Sequence, residues 1–200
     1  MSASPPRWEF RTWFAPGEPI GGPFEGWTAK DTTQRTDVYL ILPGAHGLLP
    51  KLRGNTRLDV KQRIALDDPL QQWRVAFGAD FPLADDDLDE ALGLLARPGL
   101  RPAADAGLDG ERFLAALREH VPGLLERTVT KRRTSFVRDV VIGERTAVEV
   151  AEDGSHAVSI ALESTDPDAL RTAMTVSGLE DRPNVDYGAW LKAGAGAAGD

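Results

Sequence analysis

Residues 49–64, with the sequence LPKLRGNTRLDVKQRI, decide the fold that we predict for this chain. Lys51 and Arg53 lie two residues apart, and so do Lys61 and Arg63. In an extended strand, side chains two residues apart point to the same face, about 6.6 Å from one another. The Gly-Asn-Thr between the two pairs favours a turn. The stretch therefore predicts a hairpin with four cations on one face and a mostly apolar opposite face.

The length and composition indicate one globular domain. The chain has 200 residues, of which 42% are hydrophobic and 27% charged, as in ordinary globular proteins. We expect a single domain over residues 7–192. The ends, 1–6 and 193–200, are small, polar or rich in glycine, and we predict that these two tails are disordered.

The charge balance excludes some classes of partner. With 23 basic and 31 acidic residues the formal net charge is −8, which opposes general binding to nucleic acids or to anionic membranes. The chain has no cysteine, so disulfides and thiolate metal sites are excluded. No apolar run approaches the roughly 20 residues of a membrane span, and we expect a cytoplasmic protein.

Further strands are predicted from alternating or β-branched segments on both sides of the hairpin. They are 7–14 (RWEFRTWF), 36–42 (TDVYLIL), 71–77 (QQWRVAF), 128–137, 144–151 and 156–163. The last two read as a hairpin around Asp153-Gly154. Residues 16–30 are rich in glycine and proline and predict a loop.

Three helices are predicted from apolar residues at helical spacing: 83–96, 109–120 and 166–178, the last with Asp166 as its N-cap. Strands run in blocks and do not alternate with helices, which favours an antiparallel α+β protein. A sheet with one charged and one apolar face can close around the charged face. We therefore predict a closed β-tunnel of about eight strands, with helices inserted mid-chain and near the C-terminus.

The charged faces of the predicted strands carry eight cations. They are Arg11, Lys51, Arg53, Lys61, Arg63, Arg74, Lys131 and Arg133. Their mutual repulsion inside one tunnel would be too costly without interleaved acids or a polyanion. A triphosphate is such a polyanion, and arginine and lysine bind it well. The carboxylates Glu9, Glu149 and Glu163 lie among them and would hold a hard divalent ion, Mg²⁺ or Mn²⁺.

The order of these charged segments resembles the CYTH superfamily, also called the triphosphate tunnel metalloenzymes. RWEFR at 7–11 is similar to the opening ExExK strand of that family, and TDVYL, KLR, VKQRI and TKRR are similar to its next tunnel strands. SIALE and NVDYGAWLK resemble its late acidic strand and its closing segment. Two acids of the family pattern are absent, because Arg7 and Ala161 stand at their positions.

The resemblance implies metal-dependent hydrolysis of a triphosphate-containing small molecule. It implies a catalytic role for Glu9, Glu163 and Lys61, a metal held by Glu9, Glu149 and Glu163, and phosphates held by the eight cations. The two missing acids leave an alternative, a degenerate tunnel that binds a polyphosphorylated ligand without hydrolysis. A third interpretation is a structural or interaction domain whose cations face solvent. Glu149 in particular is open to interpretation as a surface charge of its hairpin.

Overall fold

The computed structural model describes residues 5–95 and 108–197, with side chains as far as residue 194. The strands of this part of the chain are β1 (Arg7–Phe14), β2 (Thr28–Ile41), β3 (Leu48–Arg53), β4 (Arg57–Asp67), β5 (Leu70–Asp80), β6 (Leu125–Arg138), β7 (Val141–Val150) and β8 (His156–Ser164). The helices are α1 (Asp85–Leu94), α2 (Gly110–His120), α3 (Pro167–Val176) and α4 (Tyr187–Ala197).

The eight strands form one closed barrel in the order β1-β5-β4-β3-β2-β6-β7-β8. Every neighbouring pair is antiparallel, and β8 pairs with β1 to close the ring. Helices α1 and α2 are inserted between β5 and β6, whereas α3 and α4 follow the last strand. The predicted fold class, an α+β protein built on a closed antiparallel barrel, is confirmed.

The hairpin predicted from residues 49–64 is β3 and β4, with Leu52 opposite Leu58. Its turn needs left-handed backbone at two successive residues, Gly54 at φ 57° and Asn55 at φ 56°. Glycine and asparagine are the residues that adopt this conformation at least cost. The amide of Thr56 donates to the carbonyl of Arg53 at 3.1 Å and closes the turn.

Strand β2 is longer than the sequence predicts. It begins at Thr28, so the end of the predicted loop 16–30 belongs to the strand. Its first seven residues are exposed and lack apolar alternation, which is why no strand was predicted there. They are held by backbone pairing with β6, in which Thr33 lies opposite Arg133.

Two apolar clusters cover the outside of the barrel. In the first, Leu52, Val60 and Phe77 pack against Leu92 of α1 and Leu117 of α2. In the second, Phe10 of β1 and Leu162 of β8 pack against Leu170 of α3. One face of each of these strands is therefore fixed outward under a helix, and the alternate side chains must point into the barrel.

A third cluster fills one end of the barrel interior. Tyr39, Val129 and Val148 of the strands pack against Tyr187 and Leu191 of α4. The rings of Tyr39 and Tyr187 stack with their centroids 5.1 Å apart. This cluster borders the charged part of the interior, because the Lys131 ammonium lies 4.9 Å from the centroid of the Tyr39 ring.

The helix ends follow the predicted signals. The Asp166 carboxylate accepts from the amides of Asp168 and Ala169 at the start of α3, as predicted. Helix α4 continues to Ala197, past the point at which disorder was predicted to begin. Residues 1–4, 198–200 and most of the predicted link between α1 and α2 lie outside the described residues. None of the described helices is both long and apolar enough to cross a membrane.

Candidate functional site

The interior of the barrel contains a cavity of about 260 Å³. All eight strands and the segment that leads into α4 contribute to its walls. Its charged lining comprises seven cations and four carboxylates: Arg11, Arg35, Lys51, Arg53, Lys61, Lys131 and Arg133, with Glu9, Glu144, Glu163 and Asp186. These cations converge on a shared interior, which contradicts the interpretation that they face bulk solvent.

Six of the eight predicted cations line this cavity, and Arg63 and Arg74 do not. Arg74 is exposed and donates to Gln62 outside the barrel, so the interior position predicted for it is wrong. Arg63 lies beside the cavity, 3.5 Å from Asp186. Sequence analysis missed Arg35, because it lies ahead of the apolar run by which β2 was recognised.

The register of β4 and β5 explains why Arg74 was misplaced. The pairing of these strands shifts between Val60 and Lys61, so simple alternation does not hold along β5. Trp73 lines the cavity, whereas Phe77 packs outside under the helices. Simple alternation along 71–77 had placed Arg74 on the inner face instead.

Glu9 and Glu163 lie directly opposite one another on β1 and β8. The Lys61 ammonium donates to Glu9, and Arg7 lies 4.0 Å from Glu163. Burial, together with the charge of Glu9, raises the pKa of Glu163 to about 7. Burial lowers the pKa of Lys61, but Glu9 and Glu163 outweigh it and leave that pKa above its ordinary value. The structure therefore brings together the three residues that were predicted to be catalytic.

The third interior acid is Glu144 of β7, which sequence analysis did not select. Its carboxylate lies 2.7 Å from Arg133 and 3.5 Å from Arg11. Burial raises its pKa, but Arg11 and Arg133 outweigh this and hold the pKa below its ordinary value. The burial of Thr146, Val148 and Val150 on the same face of β7 marks that face as the inner one.

Glu149 lies on the opposite, exposed face of β7 and does not line the cavity. The prediction that it holds a metal ion with Glu9 and Glu163 is therefore wrong. Glu149 is five positions after Glu144, and an odd difference in position puts two side chains on opposite faces of a strand.

Asp37 of β2 is the carboxylate that pairs with several of the cations in the cavity lining. It is fully buried, and its Oδ2 atom is shared by the Lys131 ammonium, Lys51 at 3.4 Å and Arg35 at 3.4 Å. Within the described residues its Oδ1 atom has no hydrogen-bond partner. One carboxylate thus faces three cations, and the local charge remains positive.

This excess of positive charge acts on the two lysines. Burial and the neighbouring Lys51 outweigh Asp37 and lower the pKa of Lys131 to about 7. Burial, with Arg35, Arg53 and Lys61 nearby, lowers the pKa of Lys51 to about 8. The Lys131 ammonium also donates to the Tyr39 hydroxyl at 3.0 Å. An anion in the cavity would favour the charged form of both lysines.

The segment before α4 completes the wall beside β1. The Asn184 amide nitrogen donates to the carbonyls of Glu9 at 3.0 Å and Pro69 at 2.7 Å. Its oxygen accepts from the Arg11 amide at 2.9 Å, and the Val185 amide donates to the Arg11 carbonyl. Asn184 therefore holds in place the backbone of Glu9 and Arg11, whose side chains line the cavity.

The barrel has counterparts among solved structures. A conserved hypothetical protein from Pyrococcus furiosus matches with a TM-score of 0.50 and 15% identity, over 91% of this chain and 98% of that chain. The PH1012 protein of Pyrococcus horikoshii OT3 matches with a TM-score of 0.46 and 16% identity, over 86% and 92% of the two chains. A "putative adenylate cyclase" from Bacillus halodurans matches with a TM-score of 0.46 and 12% identity, over 90% and 93%.

These matches concern the fold alone. The likeness to the Pyrococcus furiosus protein spans nearly the whole of both chains, so the barrel is a fold that other proteins share. No family model and no curated protein sequence matches this chain. The resemblance to the CYTH superfamily therefore stays a prediction.

The residues of the cavity do not fit the divalent metal ion that the resemblance implies. Lys61 is hydrogen-bonded to Glu9, and Arg11 and Arg133 are paired with Glu144. In residues 5–95 and 108–197 no three acidic or histidine side chains are grouped so that they could hold a metal ion. The oxygens of Glu9 and Glu144 that a hard cation would need are already engaged by cations of the chain itself.

Proposed function

We propose that this protein binds a triphosphate-containing small molecule inside its barrel. The observation that carries the proposal is the convergence of seven cations from five strands on one cavity of about 260 Å³. Basic side chains that meet in an enclosed space repel one another and lose hydration. A compact chain of phosphates offsets both costs.

The chemistry of the lining favours phosphate over other anions. Arg11, Arg53 and Arg133 provide planar donor pairs that match phosphate oxygens, and Lys51 and Lys61 add compact positive charges. A triphosphate spreads its charge along a chain, as the cavity spreads its cations along several strands. A single carboxylate or sulfate would leave most of them unmatched.

The size of the cavity favours a small ligand. Pockets for drug-sized molecules usually measure about 300–1,000 Å³, and this cavity is slightly below that range. It suits the triphosphate part of a molecule, with any organic group outside. The net charge of the whole chain, −8, opposes binding to long nucleic acids.

Calorimetric titration with sodium tripolyphosphate tests the proposal. We expect a double variant, Lys61→Ala with Arg133→Ala, to bind at least about tenfold more weakly, because each removed cation would make charge-assisted hydrogen bonds to phosphate. Arg74→Ala is the matched control, since it removes an exposed cation outside the cavity and should bind like the wild type. Absence of binding by the wild-type protein would contradict the proposal.

Hydrolysis of the bound triphosphate is a second candidate function, and the position of Glu163 favours it. Its carboxyl lies within the cationic cavity with its pKa raised to about 7, close to the value that suits a general base at neutral pH. Glu163 would accept a proton from the attacking water, and the surrounding cations would stabilise the charge that develops on the phosphate. Phosphate release that equals that of the Lys61→Ala/Arg133→Ala variant would exclude this candidate.

A further inference from the structure

Each acid that points into the cavity already has a cation of the chain beside it. The Lys61 ammonium is hydrogen-bonded to Glu9. Arg133 and Arg11 lie 2.7 Å and 3.5 Å from Glu144. Three of these five side chains are nine-tenths buried or nearly so, with 14% of Glu9, 11% of Glu144 and 10% of Arg11 exposed.

Asp186 lies 3.5 Å from Arg63, and the fourth acid, Glu163, has its cation on the neighbouring strand. Arg7 and Glu9 are two residues apart, so their side chains point to the same face of β1. Glu9 lies opposite Glu163 on β8. This arrangement brings the Arg7 guanidinium to 4.0 Å from the Glu163 carboxylate. The residue that replaces an acid in the family pattern thus places a positive charge beside an acid that remains.

A divalent cation at this position would meet two difficulties. It would have to displace the Lys61 ammonium from Glu9, and it would then lie close to both Lys61 and Arg7. Charges of like sign at such distances repel strongly where water is largely excluded. The chain's own ammonium and guanidinium groups therefore stand where a metal ion would otherwise neutralise the acids.

We infer that the cavity holds its polyanion without a divalent metal ion, and that Glu9, Glu144 and Glu163 are counterions of the empty cavity. This inference rests on the proposed function. The acids keep the cations paired until a ligand arrives, and the phosphates then compete with the acids for Lys61, Arg11 and Arg133. An acid that competes with the ligand weakens binding, whereas an acid that holds a bridging metal ion strengthens it.

Removing an acid should therefore strengthen binding if the acid is a counterion and weaken it if the acid holds a metal ion, and this difference can be measured. Binding of tripolyphosphate is measured by calorimetry in EDTA and again with excess Mg²⁺ or Mn²⁺, for the wild type, Glu9→Gln, Glu163→Gln and the control Glu149→Gln. Glutamine keeps the shape of glutamate and removes its charge, and Glu149 is exposed on the outer face. We expect binding in EDTA that the metal ions do not strengthen.

We expect Glu9→Gln and Glu163→Gln to bind tripolyphosphate more tightly than the wild type in EDTA. The gain should be about tenfold, as expected for removing a negative charge a few ångströms from a polyanion in a partly buried site. Glu149→Gln should bind as the wild type does. Weaker binding by both cavity variants would overturn the inference.

Direct metal binding supplies a second readout that needs no ligand turnover. The electron paramagnetic resonance signal of free Mn²⁺ should be unchanged by the wild-type protein. A Mn²⁺ site that is lost in Glu163→Gln and kept in Glu149→Gln would overturn the inference. Tripolyphosphate binding that occurs only with metal would contradict this inference alone, whereas no binding in either buffer would also contradict the proposed function.

Discussion

Ala161 of β8 lies directly opposite Glu144 of β7, and Arg11 of β1 lies opposite Ala161 on its other side. The small side chain of Ala161 leaves the space between its neighbours open, and the Arg11 guanidinium reaches to 3.5 Å from the Glu144 carboxylate. The acid that the resemblance to the CYTH superfamily predicts on β8 is absent, and the neighbouring strand has one directly opposite that position.

Removing Glu144 should destabilise the empty protein. Arg11, which is almost fully buried, and Arg133 would lose their shared carboxylate. Breaking a buried ion pair from one side leaves uncompensated charge, and we expect Glu144→Ala to lower the free energy of unfolding by about 3 kcal/mol. Urea denaturation measures this loss. Glu149→Ala on the exposed face should change it little, and equal losses for the two variants would contradict the assignment.

The stability of the empty protein should rise with pH above neutrality. Lys131 faces Asp37, Lys51, Arg35 and Tyr39, and its pKa in the folded protein is lowered to about 7. In the unfolded chain the pKa returns to about 10.4. Between these values the unfolded chain binds more protons, so the free energy of unfolding increases with pH.

Urea denaturation at pH 7.0 and 9.0 tests this dependence. Lys131→Met should reduce the increase, although Lys51, whose pKa is lowered to about 8, leaves part of it in place. Lys192→Met, which removes an exposed lysine, should keep the whole increase. The same pH dependence in both variants would show that Lys131 is not its source.

Binding of a polyanion should draw protons from solution near pH 8. Phosphates beside Lys51 and Lys131 would favour their charged forms and raise pKa values that are now about 8 and about 7. Calorimetry in buffers of different ionisation enthalpy measures the number of protons taken up. Lys131→Met should take up fewer protons than the wild type, and an unchanged number would contradict this linkage.

Asn184 should be important for both stability and binding. Its side chain makes three hydrogen bonds, to the Glu9 carbonyl, the Pro69 carbonyl and the Arg11 amide. Asn184→Ala leaves these partly buried backbone groups without partners, and we expect a loss of about 3 kcal/mol in the free energy of unfolding.

The same variant separates positioning from a purely structural role. Asn184 holds the backbone of Glu9 and Arg11 through hydrogen bonds. Its replacement should shift their side chains, so Asn184→Ala should also weaken tripolyphosphate binding at a temperature where the variant is fully folded. Thermal denaturation and calorimetry give the two values. Affinity equal to that of the wild type would mean that Asn184 stabilises the barrel without positioning its cations.

Regular alternation is what made much of this site predictable. In β1, β3 and β6 the residues alternate without interruption, and the sequence correctly placed Arg11, Lys51, Arg53, Lys131 and Arg133 inside. The hairpin turn and the helix cap at Asp166 were predictable for a similar reason, because each depends on a few adjacent residues.

The errors arise where the inner face depends on distant pairing. Arg74 was predicted on the wrong face because the pairing of β4 with β5 is irregular. In β7 both faces carry a glutamate, and the burial of Thr146, Val148 and Val150 in the folded barrel shows that Glu144 points inward. Asp37 was missed because a lone acid in a strand has no local signal. Its importance comes from Lys51 and Lys131, which reach it from two other strands.

The apolar residues at one end of the barrel limit how a ligand can pass. Val129, Val148 and Leu191 are almost completely buried there, so the polyanion that we propose would have little room to pass between them and would leave from the charged side of the cavity. Only the terminal phosphates of a long polyphosphate would then reach Lys51 and Lys131. The protein would accordingly recognise chain ends, and its capacity for a polymer would scale with the number of molecules and not with their length.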